Sequence, residues 1–443
     1  MIKKLFSPIS FIISILILSY IFYRSEIFWG GENRGYYTHF YYFSLSLVIF
    51  SVISFFLKDV VKIYVFIITL SIVIVLYSFE AFLSYYGTTT FKVIDTYEKK
   101  TGKKYDLRDM QEFYHDMIKE DDQTVVAVFP SAILENKKIS QLFPSTIKNI
   151  LPLSGISNSK TILCNENGYY SIYQSDRFGF NNPDKEWDKD EVEYLLVGDS
   201  FTHGSCIDQP NDIASVLRKL SNKSVLNLGY GGNGPLFQYA TLREYLNKNV
   251  KKVLWFYYEG NDLDNLKNRD LKSKILRNYL INLNFDQNLK SRQDEINNLG
   301  RRIIKEEWKT KNDFYTYKIK NFIKLYKFRN WVRVYGTPIP VQINPVPEFK
   351  KILQLTKKII DDNNAELYFI YLPEISRYRD KEFKSKYDQI KNTVEELNIT
   401  FLDIESLVFQ KQKNPLDLFP FQKNKHYNIE GYKKIAEEIH KFK

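Results

Sequence analysis

Cysteine is scarce, with two residues in 443, and so is histidine, with five. Two cysteines without a CxxC pair or a His/Cys cluster exclude a zinc ribbon and a disulfide-dense scaffold. Five histidines leave few candidates for a general base. Dense basic blocks and Arg-rich stripes are missing too. The net charge of +11 is spread among Lys, Asn and Glu and reads as a solvated surface, so no nucleic-acid partner is expected. What the chain has in quantity is apolar and aromatic side chain, 44% and 16% of its residues. Its length predicts two to three structural units.

The apolar residues concentrate at the start. Leu5 to Tyr23, Tyr37 to Leu57 and Ile63 to about Leu83 are apolar on every face, and at ~1.5 Å per residue each is long enough for the ~30 Å hydrocarbon layer. Three such stretches in succession predict a transmembrane anchor over residues 1–86 in place of a signal peptide or core helix. Lys3, Lys4, Lys58 and Lys62 lie on one side of the spans, whereas the loop from Arg24 to Tyr36 has two Arg and two Glu. The positive-inside tendency therefore predicts a multi-pass protein of the cytoplasmic membrane, its N-terminus cytoplasmic and everything after the third span outside. Glu80, near the outer end of that span, reads as an interface residue. Six basic and four acidic residues precede Gly87, leaving 57 against 48 for the exterior part.

Residues 87–184 read as a stalk helix followed by a hairpin, in which TILCN and YYSIYQ join across Glu166, Asn167 and Gly168. From 185 onward, apolar runs alternate with amphipathic segments: YLLVG (194–198), SVLNLG (224–229), KVLWFYY (252–258), AELYFIYL (365–372) and ITFLDI (399–404). Asn211, Pro235 and Asn428 are the start signals of three intervening helices. The pattern predicts a three-layer α/β/α, flavodoxin-like domain over 185–443 with a five-stranded parallel sheet and a helical insertion at about 263–345.

In such sheets chemistry sits at the carboxyl ends of the strands. The first strand runs into Gly198-Asp199-Ser200, a hydroxyl on a small-residue turn, and the second into Gly229-Tyr230-Gly231-Gly232-Asn233-Gly234. Backbone N–H groups of such a turn can donate to an oxyanion. The third ends in Glu259-Gly260-Asn261-Asp262, and His426 precedes the last helix.

In this order the four blocks resemble the SGNH/GDSL hydrolase family over about residues 190–443. SDRFGFNNPD (175–184) resembles the Gly-Phe segment that often precedes the nucleophile block in membrane-attached members. The resemblance implies Ser200 as nucleophile, Gly232 and Asn261 as oxyanion-hole donors with the Ser200 amide, and His426 as base. The other histidines fit less well: His39 is in the membrane part, His115 in the stalk, His440 at the far end of the last helix, and His203 in the serine's own turn, where a structural hydrogen bond is expected.

Two departures stand out. The family usually has Asp three residues before the catalytic His, where this chain has Lys423, and Glu259 replaces the first Gly of the third block. Three readings follow for the first: a Ser–His dyad, a displaced acid (Asp417 ahead of Asp403), or loss of activity. The complete Ser, Gly, Asn and His set favours activity. Cys164 and Cys206 are either bonded, bracing the serine turn, or two buried thiols.

The expectation is a membrane-anchored, extracytoplasmic serine esterase or O-acyltransferase with an acyl-serine intermediate and no metal or cofactor. Its substrate is an acyl ester, by family similarity an O-acetylated cell-surface glycan, and a membrane partner such as a permease supplying an acyl donor is compatible with the anchor. The alternative is a silent SGNH fold used as a binding or assembly module.

Overall fold

The computed structural model describes residues 2–31, 34–86, 91–135, 139, 142–143, 149–246, 249–308, 311–336, 344–380 and 382–442. Gly87 and parts of the 130–159 segment lie outside the described residues. The chain divides into two compact units, one formed by Met1–Thr88 with Lys318–Tyr335, the other by Thr89–Tyr317 with Gly336–Lys443.

Among the described residues, the first unit holds three helices long and apolar enough to cross a membrane, within Lys4–Phe28, Arg34–Ser54 and Asp59–Tyr85. Serines line the contact between the first two: Ser7 Oγ donates to the Ser54 carbonyl (3.0 Å) and the Ser14 and Ser51 hydroxyls lie 3.1 Å apart. Small polar residues let helix backbones approach closely where lipid removes the hydrophobic drive between helices. The large apolar side chains point outward instead; Ile12, Leu16, Ile49, Ile68 and Val75 are all more than half exposed within the chain. An apolar surface of this extent suits a bilayer better than water.

Among the described residues, the second unit contains two sheets. A small one, in the order β1-β2-β3, pairs β1 (Val125–Val126) parallel with β2 (Lys160–Ile162), and β2 antiparallel with β3 (Ile172–Gln174). The large one is all parallel: β4 (Val192–Val197), β5 (Val225–Asn227), β6 (Val250–Tyr258), β7 (Glu366–Leu372) and β8 (Thr400–Asp403), in the order β5-β4-β6-β7-β8. Residues 89–184 belong to the same compact unit as this sheet, with Ile150, Leu151, Leu153 and Phe180 buried in its core.

Alternation along the strands explains the three layers. Leu195, Val197, Val253, Trp255, Tyr257 and Phe369 face one core, which helices Pro235–Tyr245, Pro347–Asp362 and Tyr387–Glu395 cover. Tyr194, Leu196, Leu254, Phe256 and Ile370 face the other, under helices Ile213–Ser221 and Ile429–Lys441. Strands buried on both faces need continuous apolar runs, and each fully buried Val, Leu or Phe contributes roughly 1.5–3 kcal/mol. The helix starts are as expected at Pro235, a first-turn proline, and at Asn428, whose side chain accepts from the Gly431 amide. At the remaining start the cap is Asp212 and not Asn211, because the Asp212 carboxylate reaches the Ser215 amide (3.0 Å), whereas the Asn211 side chain turns back to the Asp208 carbonyl.

The chain crosses from one side of β4 to the other between β5 and β6. The carboxyl ends of β4 and β6 flank this reversal, the place where open parallel sheets hold their ligands.

Candidate active site

Ser200 opens a short helix, Ser200–His203, directly after β4. Asp199 caps it by accepting from the Phe201 amide (3.0 Å). Gly198 admits no side chain, since a Cβ there would fall 2.0 Å from Thr202 Oγ1. The turn is braced from upstream by the 175–184 segment. Asn181 donates to the His203 carbonyl (2.9 Å), and Asn182 exchanges hydrogen bonds with the backbone of Asn227 at the end of β5. Asp176 holds that segment by accepting from Asn182, Trp187 and the Phe178 and Phe180 amides; burial pushes its pKa up to about 6 against these bonds.

His426 Nε2 lies 2.9 Å from Ser200 Oγ, and His426 Nδ1 lies 2.9 Å from Glu166 Oε1. The other Glu166 oxygen accepts the His426 backbone N–H (3.0 Å), and the Asn424 amide donates to the Glu166 carbonyl (2.6 Å). The imidazole rests on the Phe201 ring, centroids 4.9 Å apart. With Nδ1–H donating to the carboxylate, Nε2 keeps its lone pair for the serine proton; the hydrogen-bond network assigns this tautomer. Burial opposes charge on both partners, but their mutual attraction outweighs it, so the His426 pKa is raised and the Glu166 pKa lowered from their ordinary values.

The carboxylate that contacts His426 is Glu166, and not one of the acids offered by the sequence. Asp417 accepts from Asn414 (3.1 Å) and Gln422 (2.8 Å), and Asp403 accepts from the Tyr387 hydroxyl (2.9 Å) and the Glu405 amide (3.1 Å). Both Asp403 oxygens and Asp417 Oδ1 are thus bonded to groups other than His426. Glu166 comes from the loop between β2 and β3, which the sequence pattern presents as a plain turn.

Cys164 and Cys206 are disulfide-bonded, their Cα atoms 4.8 Å apart. The bond joins the Glu166 loop to the segment following Ser200, and Asn167 adds a hydrogen bond to the Cys206 carbonyl (2.9 Å). Cys206 Sγ also lies 4.0 Å from His426 Nδ1. Glu166, Cys206 and His426 thus cluster as three potential metal donors, but with the sulfur spent in the disulfide only two ligands remain.

His203 is buried and accepts the Gly231 N–H on Nδ1 (3.3 Å) while stacking on Tyr230, centroids 4.5 Å apart. Burial, with the nearby His426 charge, lowers its pKa to about 3, so it braces the glycine turn as a neutral ring. In that turn Gly232 has φ 77°, and a Cβ there would fall 2.4 Å from Ser131 Oγ. Its carbonyl accepts from Arg269 (2.7 Å), which pairs with buried Asp270 (2.9 Å). Asn261 follows β6 and precedes helix Asp262–Asn268 without capping it through its side chain. Its Oδ1 is buried with no hydrogen-bond partner among the described residues. Glu259, the departure in this block, is buried and held by Arg377, Ser385, Tyr371 (2.6 Å) and the Glu374 amide (3.1 Å). It ties the end of β6 to the segment after β7, a structural employment for the extra carboxylate.

An open parallel sheet with a serine–histidine–carboxylate array at its carboxyl edge is the class of site this chain presents. No protein-family model and no curated protein matches the chain. Among solved structures it is similar to one described as a lipolytic protein of the G-D-S-L family from Desulfitobacterium hafniense DCB-2, at 16% identity and a TM-score of 0.30 over 57% of this chain and 99% of that one. It is also similar to the acetyl xylan esterase AlAXEase, at 14% identity and a TM-score of 0.32 over 56% and 98%.

Proposed function

We propose that the protein is a membrane-anchored serine esterase or O-acyltransferase whose α/β unit works outside the cytoplasmic membrane. The observation that carries this reading is the unbroken Ser200–His426–Glu166 chain of contacts, each 2.9 Å. In the reaction, His426 Nε2 takes the Ser200 proton as Oγ bonds to the ester carbonyl carbon. The resulting oxyanion is met by the backbone N–H groups of Ser200 and Gly232 and by the Asn261 amide. Collapse breaks the bond to the leaving oxygen, which takes the proton back from His426 and departs as an alcohol. Water or a sugar hydroxyl then resolves the acyl-serine by the same steps in reverse. An O-acetylated glycan is the proposed substrate, resting on the resemblance of the sequence blocks and on an anchor that holds the site at a surface.

Full-length protein in mild detergent should be labelled by a serine-reactive fluorophosphonate, with the adduct mapped to Ser200 by peptide mass spectrometry. No labelling of the folded chain would return the reading to a silent binding module. Gly232→Ala should cost about 10²–10³ in kcat by displacing an oxyanion donor and about 1–2 kcal/mol of stability from the left-handed backbone. Ester turnover and thermal melting check the two parts separately.

A further inference from the structure

Between 318 and 335 the chain has six basic residues and no acidic one. This stretch belongs to the compact unit of the three long apolar helices, although the sheet-bearing unit precedes and follows it in sequence. It comprises the end of helix Lys311–Ile323, a turn in which Leu325 has φ 50°, and helix Tyr326–Gly336. Ile319, Phe322 and Ile323 recur at the i, i+3, i+4 spacing of one helical face, and Tyr326 opens the second helix beyond the turn. All four are exposed, Ile319 and Ile323 at 61% each. Lys320, Lys324 and Arg329 are exposed around this apolar strip.

The hairpin is fastened to the third apolar helix at one level. Glu80, 1% exposed, accepts the backbone N–H groups of Lys327 (2.9 Å) and Phe328 (2.7 Å), the first turn of helix Tyr326–Gly336. Tyr77 donates to the Ile323 carbonyl (2.8 Å), and the Phe79 ring meets Phe328 and Trp331 at 6.1 and 5.4 Å. From Asp59 at the start of that helix to Glu80 the rise is about 32 Å at ~1.5 Å per residue, one hydrocarbon thickness of ~30 Å. A helix whose Asp59 end sits at one membrane boundary therefore delivers Glu80, and the hairpin it caps, to the opposite boundary.

We infer that residues 318–335 form an interfacial element that lies in the membrane surface and binds anionic lipid. Ile319, Ile323 and Tyr326 enter the upper acyl region, and Lys320, Lys324 and Arg329 meet lipid phosphates. Amphipathic helices with apolar and basic faces bind in this way. The inference rests on reading the three apolar helices as membrane spans and is independent of the catalytic proposal.

The test uses full-length chain in lipid nanodiscs, with a fluorophore on Ile319→Cys or, separately, on Lys320→Cys. The native cysteines are bonded to each other and do not react with maleimide. In phosphatidylcholine containing phosphatidylglycerol, a nitroxide on the upper acyl chain should quench the label at 319 strongly. Acrylamide should quench the label at 320 several-fold more than that at 319. Removing phosphatidylglycerol should raise acrylamide access at 319, and Lys324→Gln with Arg329→Gln should abolish this dependence. Equal acrylamide quenching at both positions without nitroxide quenching overturns the inference. So does a 319 label reached by neither quencher, which signifies a protein-covered face. Acrylamide access at 319 that ignores phosphatidylglycerol overturns the assignment to anionic lipid.

Discussion

Ser200→Ala is expected to lower kcat for a short-chain aryl ester by about 10⁴-fold or more, leaving the residual acceleration that binding and oxyanion donors supply alone. His426→Ala should fall to a similar level, and the double variant should be no worse, because nucleophile and base act as one unit. Steady-state hydrolysis by full-length protein, with circular dichroism to verify folding, measures all three. His203→Ala provides the contrast. Its ring accepts from Gly231 and stacks on Tyr230, so the loss should register chiefly as a lower Tm. Activity undiminished in Ser200→Ala would remove the acyl-serine mechanism.

Glu166→Gln should lower kcat by about 10²–10⁴, since an imidazole without its carboxylate loses both its tautomer and the stabilisation of its protonated form. The pH profile separates this role from a merely structural one. Burial works against the His426 imidazolium, and Glu166 more than offsets it, leaving a raised pKa. A base must be neutral to act, so wild-type kcat/KM should fall as pH drops through a value above the ordinary ~6.5 of histidine. In Glu166→Gln burial acts without that opposition, and the acid limb should move to lower pH while the plateau drops. Asp417→Asn, altering a carboxylate bound to Asn414 and Gln422, should stay within about twofold of wild type, the ordinary scatter of a surface change. An acid limb that stays in place in Glu166→Gln would refute the assignment.

The sheet was legible because its strands are buried on both faces and therefore spell continuous apolar words such as KVLWFYY. The places of Ser200, Gly232, Asn261 and His426 in the fold were legible because each follows a strand or precedes the last helix. Glu166 was hidden for a physical reason. It stands 260 residues from His426, in a loop whose Asn-Glu-Asn-Gly composition satisfies the rules for a turn without any reference to catalysis. The available signal was indirect: Cys164 lies two residues from it, and pairing the only two cysteines would have drawn that loop to the serine turn. The 318–335 hairpin escaped for a related reason. Local periodicity identifies a helix and its apolar face, but not the neighbour; Tyr77, Phe79 and Glu80, distant in sequence, reveal that the neighbour is an apolar helix from the start of the chain.

Glu166, Ser200 and His426 leave the ribosome in that order, with more than half of the α/β unit made between the second and the third. A nascent chain therefore carries two members of the proposed triad for a long interval while the third does not yet exist. On the proposed mechanism the site stays incomplete until the segment around Asn424 and His426 docks on the Glu166 loop.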